Sequence, residues 1–158
     1  MEDVRIKIRS VRFEVEASLF SEENDDIPEL YDEHDTEPET VEINTVGKLR
    51  HSDGRAEISY EETEMTGMDG STTAISYIPE QSGIVTMIRE GAVSTALVFE
   101  EGKRHHCVYN TPFMPFQVCI HTLKVDNRLS DNKTLELDYV VEIRGAQAER
   151  TKFRLELL

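Results

Sequence analysis

Hydrophobic and polar residues alternate along most of this chain, and that period of two is typical of half-buried β-strands. In the first stretch the apolar positions are even-numbered up to Ile8 and odd-numbered from Val11 onward. This change of phase predicts a bulge or bend near Ser10 in one long strand. Long bent strands are typical of sheets that curl into barrels.

Further alternating segments follow, and short turn sequences separate them. The Asp-Gly pair at 53–54 tolerates the positive φ of a tight turn, and Gly91 is expected to take positive φ in another. About ten short strands joined by hairpin-length turns predict an antiparallel meander that closes into a barrel or sandwich. The predicted breaks are 51–54, 65–70, 79–83, 89–92, 111–115, 126–132 and 145–147.

One segment departs from this pattern because it is strongly acidic. Residues 21–42 hold 11 Asp and Glu residues and no Lys or Arg. We expect a solvated surface insert at about 21–39, with at most one short helix, capped by Asp26 and carrying Pro28 and Glu29 in its first turn. A calcium site or a partner-binding arm is the alternative, although the spacing of an EF-hand loop is absent.

Composition narrows the function classes. The 158 residues suit a single domain, residues 1–158, and the net charge of −15 repels phosphate, so nucleic-acid binding is not expected. No apolar run is long enough for a membrane helix and the first residues lack the apolar core of a signal peptide, so no membrane association and a cytoplasmic location are expected. Two cysteines are too few for a disulfide framework.

Several short motifs, in order, resemble the YwiB-like family of bacterial calycin-type (lipocalin-like) β-barrels, a domain of unknown function. They are "TVGK", "ISYEE", "TGMDGSTT", "IREGAVSTALVFEEGKRH" and "YNTPF" followed by "HT". The resemblance covers roughly residues 40 to 158 and the first strand, and it implies a lipocalin-like all-β meander barrel of about 8–10 strands without a known activity. The matching positions are Thr45, Gly47, Ser59, Tyr60, Glu62, Arg89, Gly91, Phe99, Gly102, Tyr109, Thr111, Pro112 and Thr122.

The chain departs from the family pattern in two places. Met114 stands where the family usually has glycine, so the turn after Phe113 is expected to differ. The acidic insert is also longer than the usual link, and it either serves this protein in particular or is simply tolerated.

Four polar residues are the candidate ligand-binding set: Tyr60, Glu62, Arg89 and Tyr109. Each lies where a barrel would turn it inward, and ligand pockets need a few such polar groups in an apolar cup. A buried arginine needs an acidic partner, and Glu62 is the first candidate for Arg89. The set is either an ion pair that closes the barrel or an anchor for a ligand carboxylate or phosphate.

Histidines and cysteines are concentrated in "RHHCVYN" and "VCIHT". A hairpin centred on Phe113 would place Cys107 opposite Cys119 and His105 opposite His121, with all four on one side of the sheet. Such a set matches tetrahedral zinc but lacks the usual ligand spacing, so it is only a weak alternative to ordinary strand packing. A Cys107–Cys119 disulfide is similarly disfavoured in a reducing cytosol, and no nucleophile-elbow signature surrounds either cysteine to indicate a Cys–His nucleophile.

Two functions of different classes follow. The first is a protein that binds a small apolar or amphipathic ligand inside the barrel, which a cavity of a few hundred Å³ would favour. The alternative is a non-enzymatic interaction or structural module with a filled barrel, acting through its surface or as an oligomer. No P-loop, dinucleotide-binding glycine motif or zinc-protease motif is present, so no enzyme and no cofactor are predicted.

Overall fold

The structure, a computed structural model, describes residues 2–15, 38–63, 70–91, 94–110, 114–143 and 148–158. These ranges contain strands and turns, and the all-β antiparallel fold predicted from the alternation is confirmed. The short helix expected near Asp26 and most of the acidic insert lie outside the described residues. The strands are β1 Glu2–Val15, β2 Glu39–Ser52, β3 Arg55–Glu61, β4 Thr72–Ile78, β5 Gln81–Glu90, β6 Thr95–Glu100, β7 Arg104–Asn110, β8 Pro115–Arg128, β9 Thr134–Ile143 and β10 Ala148–Leu157.

The ten strands form one sheet that curls into a nearly closed barrel. Consecutive strands other than β6 and β7 pair as antiparallel neighbours, and β1 pairs with β10, so the order runs β6-β5-β4-β3-β2-β1-β10-β9-β8-β7. The two sheet edges, β6 and β7, meet at an isolated bridge between Ser94 and Asn110. Each of these residues donates its backbone N–H to the carbonyl of the other at 2.9 Å.

Large apolar side chains fill much of the interior. Because successive residues of a strand point to opposite faces, the alternating positions predicted from the sequence converge inside the curled sheet. The rings of Phe99 and Tyr139 pack with their centroids 4.6 Å apart. Fully buried neighbours include Ile6, Ile58, Ile75, Met87, Leu97, Leu135, Leu137 and Leu155.

The sequence predicts a bulge or a bend near Ser10, and of these two the bulge is wrong. Strand β1 pairs with both neighbours in an uninterrupted register, and the register shifts of the sheet fall at Tyr77/Ile78 and Thr122/Lys124 instead. The apolar side of β1 changes from the inner to the outer face, so Ile8 points inward whereas Phe13 packs outside the barrel. The hydrophobic alternation of β1 changes phase after Ile8 because the inward-facing positions of the strand become polar there.

The connections at the two barrel ends differ in length. Tight turns join the strands at one end, and at the first of them Asp53 and Gly54 have φ of 52° and 77°, as the Asp-Gly pair predicts. The opposite end carries the other connections, which are 16–38, 62–71, 91–94, 111–114 and 144–147.

Within the described residues, no helix has the length and apolar character needed to cross a membrane.

Candidate functional site

A cavity of about 100 Å³ lies in the barrel near the end with the longer connections. All four residues of the predicted ligand-binding set, Tyr60, Glu62, Arg89 and Tyr109, line it. They come together because β3, β5 and β7 all run toward this end and each carries its polar residues close to its last position. Tyr60 and Glu62 are two residues apart and therefore point the same way.

The sequence analysis missed five of the nine polar lining residues. Strands β1, β9 and β10 contribute Ser10, Arg12, Tyr139, Glu149 and Thr151. The signal that could have found the first two is the phase change in β1, because it marks where inward positions stop being apolar. The apolar lining residues are Ile8, Val41, Ile43, Val141 and Phe153, and they lie beside the polar ones on the same or adjacent strands.

The predicted pair of Arg89 and Glu62 is present but loose. Arg89 Nε lies 3.9 Å from Glu62 Oε1, with the two side chains 17% and 2% exposed. This distance is too long for a hydrogen bond, and Arg89 Nε is buried without a hydrogen-bond partner among the described residues. The Glu62 carboxylate instead accepts a hydrogen bond from Thr73, whose Oγ1 lies 2.5 Å from Glu62 Oε1.

Three tyrosines supply neutral hydroxyl groups to the cavity. Burial raises the pKa of Tyr109 to about 12. Burial also raises the pKa of Tyr60, with a further contribution from the Glu62 charge, and burial raises that of Tyr139. Tyr60 is hydrogen-bonded to Thr73, and Tyr139 to Thr151. At neutral pH all three phenols are therefore protonated and able to donate hydrogen bonds.

A second loose ion pair lies closer to solvent. Arg12 Nη1 is 3.9 Å from Glu149 Oε1, and the two side chains are 33% and 46% exposed. The cavity lining thus contains two guanidinium groups and two carboxylates, and neither of the two pairs is within hydrogen-bonding distance. Such an arrangement leaves N–H groups available for an additional acceptor.

The hairpin register expected for the His and Cys residues is wrong by one position. Cys107 lies opposite Val118, and Cys119 lies opposite His106. In this register Val118 and Ile120 are buried in the core. His105 and Cys107 consequently share the inner face with Val118, whereas Cys119 and His121 lie on the outer face.

The separated cysteines have little nucleophilic character. Burial raises the pKa of Cys119 to about 11, with a further contribution from Glu142, and burial raises that of Cys107 as well. Both thiols are therefore protonated at neutral pH. His105 Nε2 lies 3.2 Å from Glu100 Oε1. In the part of the chain that the structure describes, no three His, Cys, Asp or Glu side chains are grouped to hold a metal ion.

Comparison with known proteins places this barrel in a family. The family profile described as "Domain of unknown function (DUF1934)" matches residues 27–155. The chain belongs to the DUF1934 family. The crystal structure of the ywiB protein from Bacillus subtilis is similar to this DUF1934 domain, with a TM-score of 0.64 and 17% sequence identity over 99% of this chain and 93% of that chain. The resemblance predicted from the sequence motifs is thereby confirmed.

At this level of identity, the likeness to the Bacillus subtilis structure establishes the fold alone. No curated protein matches the chain. Any functional argument for this DUF1934 domain therefore depends on the chemistry of its own cavity.

Proposed function

We propose that this DUF1934 domain is a binding protein for a small amphipathic molecule whose acidic group contacts Arg89 in the barrel-end cavity. The observation that carries the proposal is the buried Arg89 Nε, which lacks a hydrogen-bond partner among the described residues. A buried donor left unpaired costs about 1–3 kcal/mol, and more for a charged group. An oxygen of a ligand carboxylate or phosphate would supply the acceptor and offset that cost.

The lining of the cavity supports an amphipathic ligand. The lining combines apolar side chains, including Ile43, Val141 and Phe153, with arginines, tyrosines and carboxylates. The volume of about 100 Å³ is well below the roughly 300–1,000 Å³ of a drug-sized ligand site. It therefore favours a small molecule, or the head group of a larger one, over the wide apolar ligand of a hollow barrel.

Native mass spectrometry of the freshly purified domain tests this proposal. Wild type should carry a small mass excess that disappears on denaturation, and Arg89→Gln should lose it. Arg50→Gln is the matched control, because Arg50 is an exposed arginine that pairs with Glu57 on the outside of the barrel. A wild-type protein that is free of ligand, and that also shows no saturable binding to small carboxylates or phosphates, contradicts the proposal.

The alternative function, an interaction module with a filled barrel, also has support. Large side chains occupy much of the interior, and Ile84, Ile88 and Val108 are exposed on the outer surface of β5 and β7. Sedimentation velocity separates the two functions. Self-association that Ile88→Lys abolishes, with the cavity empty in native spectra, would support the module, whereas a monomer that carries a ligand would exclude it as the main role.

A further inference from the structure

The charges around the cavity restrict the kind of acidic group it can take. Two guanidinium groups, Arg12 and Arg89, face two carboxylates, Glu62 and Glu149, so these four side chains have no net formal charge. An anion that enters this lining is attracted by both arginines and repelled by both carboxylates. Glu62 is 2% exposed, so water and salt screen its repulsion little.

The repulsion grows with the charge of the ligand. A phosphate monoester carries about −1.5 to −2 at neutral pH, whereas a carboxylic acid with a pKa near 4 carries a single negative charge. The attraction to the two arginines grows in the same proportion, so around these four side chains the two effects of ligand charge largely cancel. The cost of removing the ion from water rises with the square of its charge, so it is larger for a phosphate and favours a carboxylate.

The geometry of the free donor fits a carboxylate and fits a phosphate equally well, so the ligand charge is what separates the two groups. The Nε–H of an arginine and the adjacent Nη–H form a planar fork, and the two oxygens of a carboxylate accept from it side by side. In Arg89 the Nε atom is the one without a hydrogen-bond partner among the described residues. Protonated phenols nearby, such as that of Tyr139, can donate to the remaining lone pairs.

The cavity volume limits what is attached to the carboxylate. About 100 Å³ leaves room for the carboxylate and a body of a few carbon atoms. The apolar side chains of the lining, including Ile43, Val141 and Phe153, are the surface against which an alkyl body would pack.

We infer that the cavity selects a short-chain monocarboxylate, with the carboxylate on the Nε edge of Arg89 and the alkyl chain against the apolar side chains of the lining. This inference rests on the proposed binding function and narrows it to one ligand class. It distinguishes a carboxylate from a phosphate and a charged ligand from its neutral isostere.

Titrations followed by two-dimensional ¹H–¹⁵N NMR at constant ionic strength test the inference. The probes are propionate, butyrate, inorganic phosphate and propionamide, the last being a neutral isostere of propionate. We expect saturable shifts of cavity residues with propionate and butyrate, and at least tenfold weaker binding of phosphate and propionamide. Phosphate binding as tightly as propionate, or propionamide binding as tightly, would overturn the carboxylate assignment and leave the binding function standing.

Variants make the test independent of whether one of them folds poorly. Arg89→Gln and Arg89→Lys should each weaken propionate binding at least tenfold. Glutamine removes the charge, and lysine retains the charge but lacks the planar fork. Glu149→Gln should strengthen propionate binding and reduce the difference in affinity between propionate and phosphate, because it removes a repelling charge. Glu57→Gln, on the outer surface, should change neither the propionate affinity nor this difference. Unchanged propionate affinity in both Arg89 variants and in Glu149→Gln would overturn the assignment, and no saturable shift with any probe in a ligand-free protein would overturn the binding function as well.

Discussion

Gly47 marks the point where β2 passes closest to its neighbours. A Cβ built at this position would lie 2.5 Å from the carbonyl oxygen of Ser59 and would also overlap Ile6 Cδ1. The carbonyl belongs to the backbone of β3 and cannot move without disturbing the sheet. The glycine that the YwiB-like pattern shares at this position thus has a packing reason, and no catalytic role is needed to explain it.

Replacing Gly47 by alanine should therefore lower the free energy of unfolding by about 1–3 kcal/mol, the usual cost of forcing an extra carbon into a packed site. Urea denaturation measures the loss. Gly83→Ala is the control, because a Cβ there meets no atom within 4 Å. Equal effects of the two substitutions would contradict the close packing described at Gly47.

Tyr109 links the cavity to the pH dependence of stability. Its pKa is raised from 10.0 to about 12 in the folded protein, mainly by burial. The folded state therefore keeps a proton that the unfolded chain loses near pH 10, so stability falls as the pH rises from about 10 toward 12. We expect Tyr109→Phe to lose less stability than wild type between pH 9 and pH 11. Urea midpoints at the two pH values give the comparison, and parallel losses would show that Tyr109 does not contribute.

At the scale of elements, the register of β7 and β8 determines what the two cysteines can do. Cys107 and Cys119 point to opposite faces of the same strand pair, so they cannot approach to the Cβ–Cβ distance of a disulfide without strand rearrangement. Treatment with copper phenanthroline should leave both thiols free for alkylation, as measured by intact mass after denaturation. His106→Cys is the positive control, since position 106 lies directly opposite Cys119 and should be oxidised to a cross-strand disulfide. A Cys107–Cys119 disulfide in wild type would contradict the register.

The outward turn of the apolar side of β1 creates a second, smaller cluster. Phe13 packs there against Val140 and Ala148, outside the barrel. Phe13→Ala should lower the free energy of unfolding by about 3–5 kcal/mol, the range for truncating a buried phenylalanine. Glu14→Ala, at the next and exposed position, should stay within about 0.5 kcal/mol. Denaturant unfolding of the two variants checks this, and a small loss for Phe13→Ala would mean that the outer cluster is not packed.

These elements also show how far the sequence predicts the structure. Period-two alternation and turn chemistry such as Asp53-Gly54 predict the strands and the meander, because both are local properties. The four predicted cavity residues were chosen because a barrel would turn them inward, and that reasoning was not extended to Arg12 or Glu149. The phase change in β1 has two physical explanations, a bulge or a change of buried face, and only tertiary pairing decides between them.

The His and Cys register was not predictable for a related reason. Hairpin register depends on the length and shape of the connecting turn, and the sequence of 111–114 does not specify these. The burial of Val118 and Ile120 decides the pairing, and that burial is known only once the barrel interior is known.

At the scale of the whole molecule, the barrel wall is weakly closed along the seam between β6 and β7. These strands have ladder partners on one side only, and the Ser94–Asn110 bridge is the contact that joins them as strands among the described residues. We expect hydrogen–deuterium exchange by mass spectrometry to be faster in peptides covering 95–100 and 104–110 than in those covering 55–61 and 72–78, which belong to strands with two neighbours. Equal protection from exchange in all four segments would show that the seam between β6 and β7 is closed in solution.

The pairing of β1 with β10 has a consequence for how the chain folds. Every other ladder joins consecutive strands, but this one brings Ile6 beside Leu157, so the two halves of the sheet unite only when the last strand has been made. A nascent chain that lacks β10 would leave the edges of β1 and β9 open together, and open edges promote aggregation. Ribosome-bound chains stalled just before residue 148 should accordingly depend on chaperones, and release of the full-length chain should end that dependence.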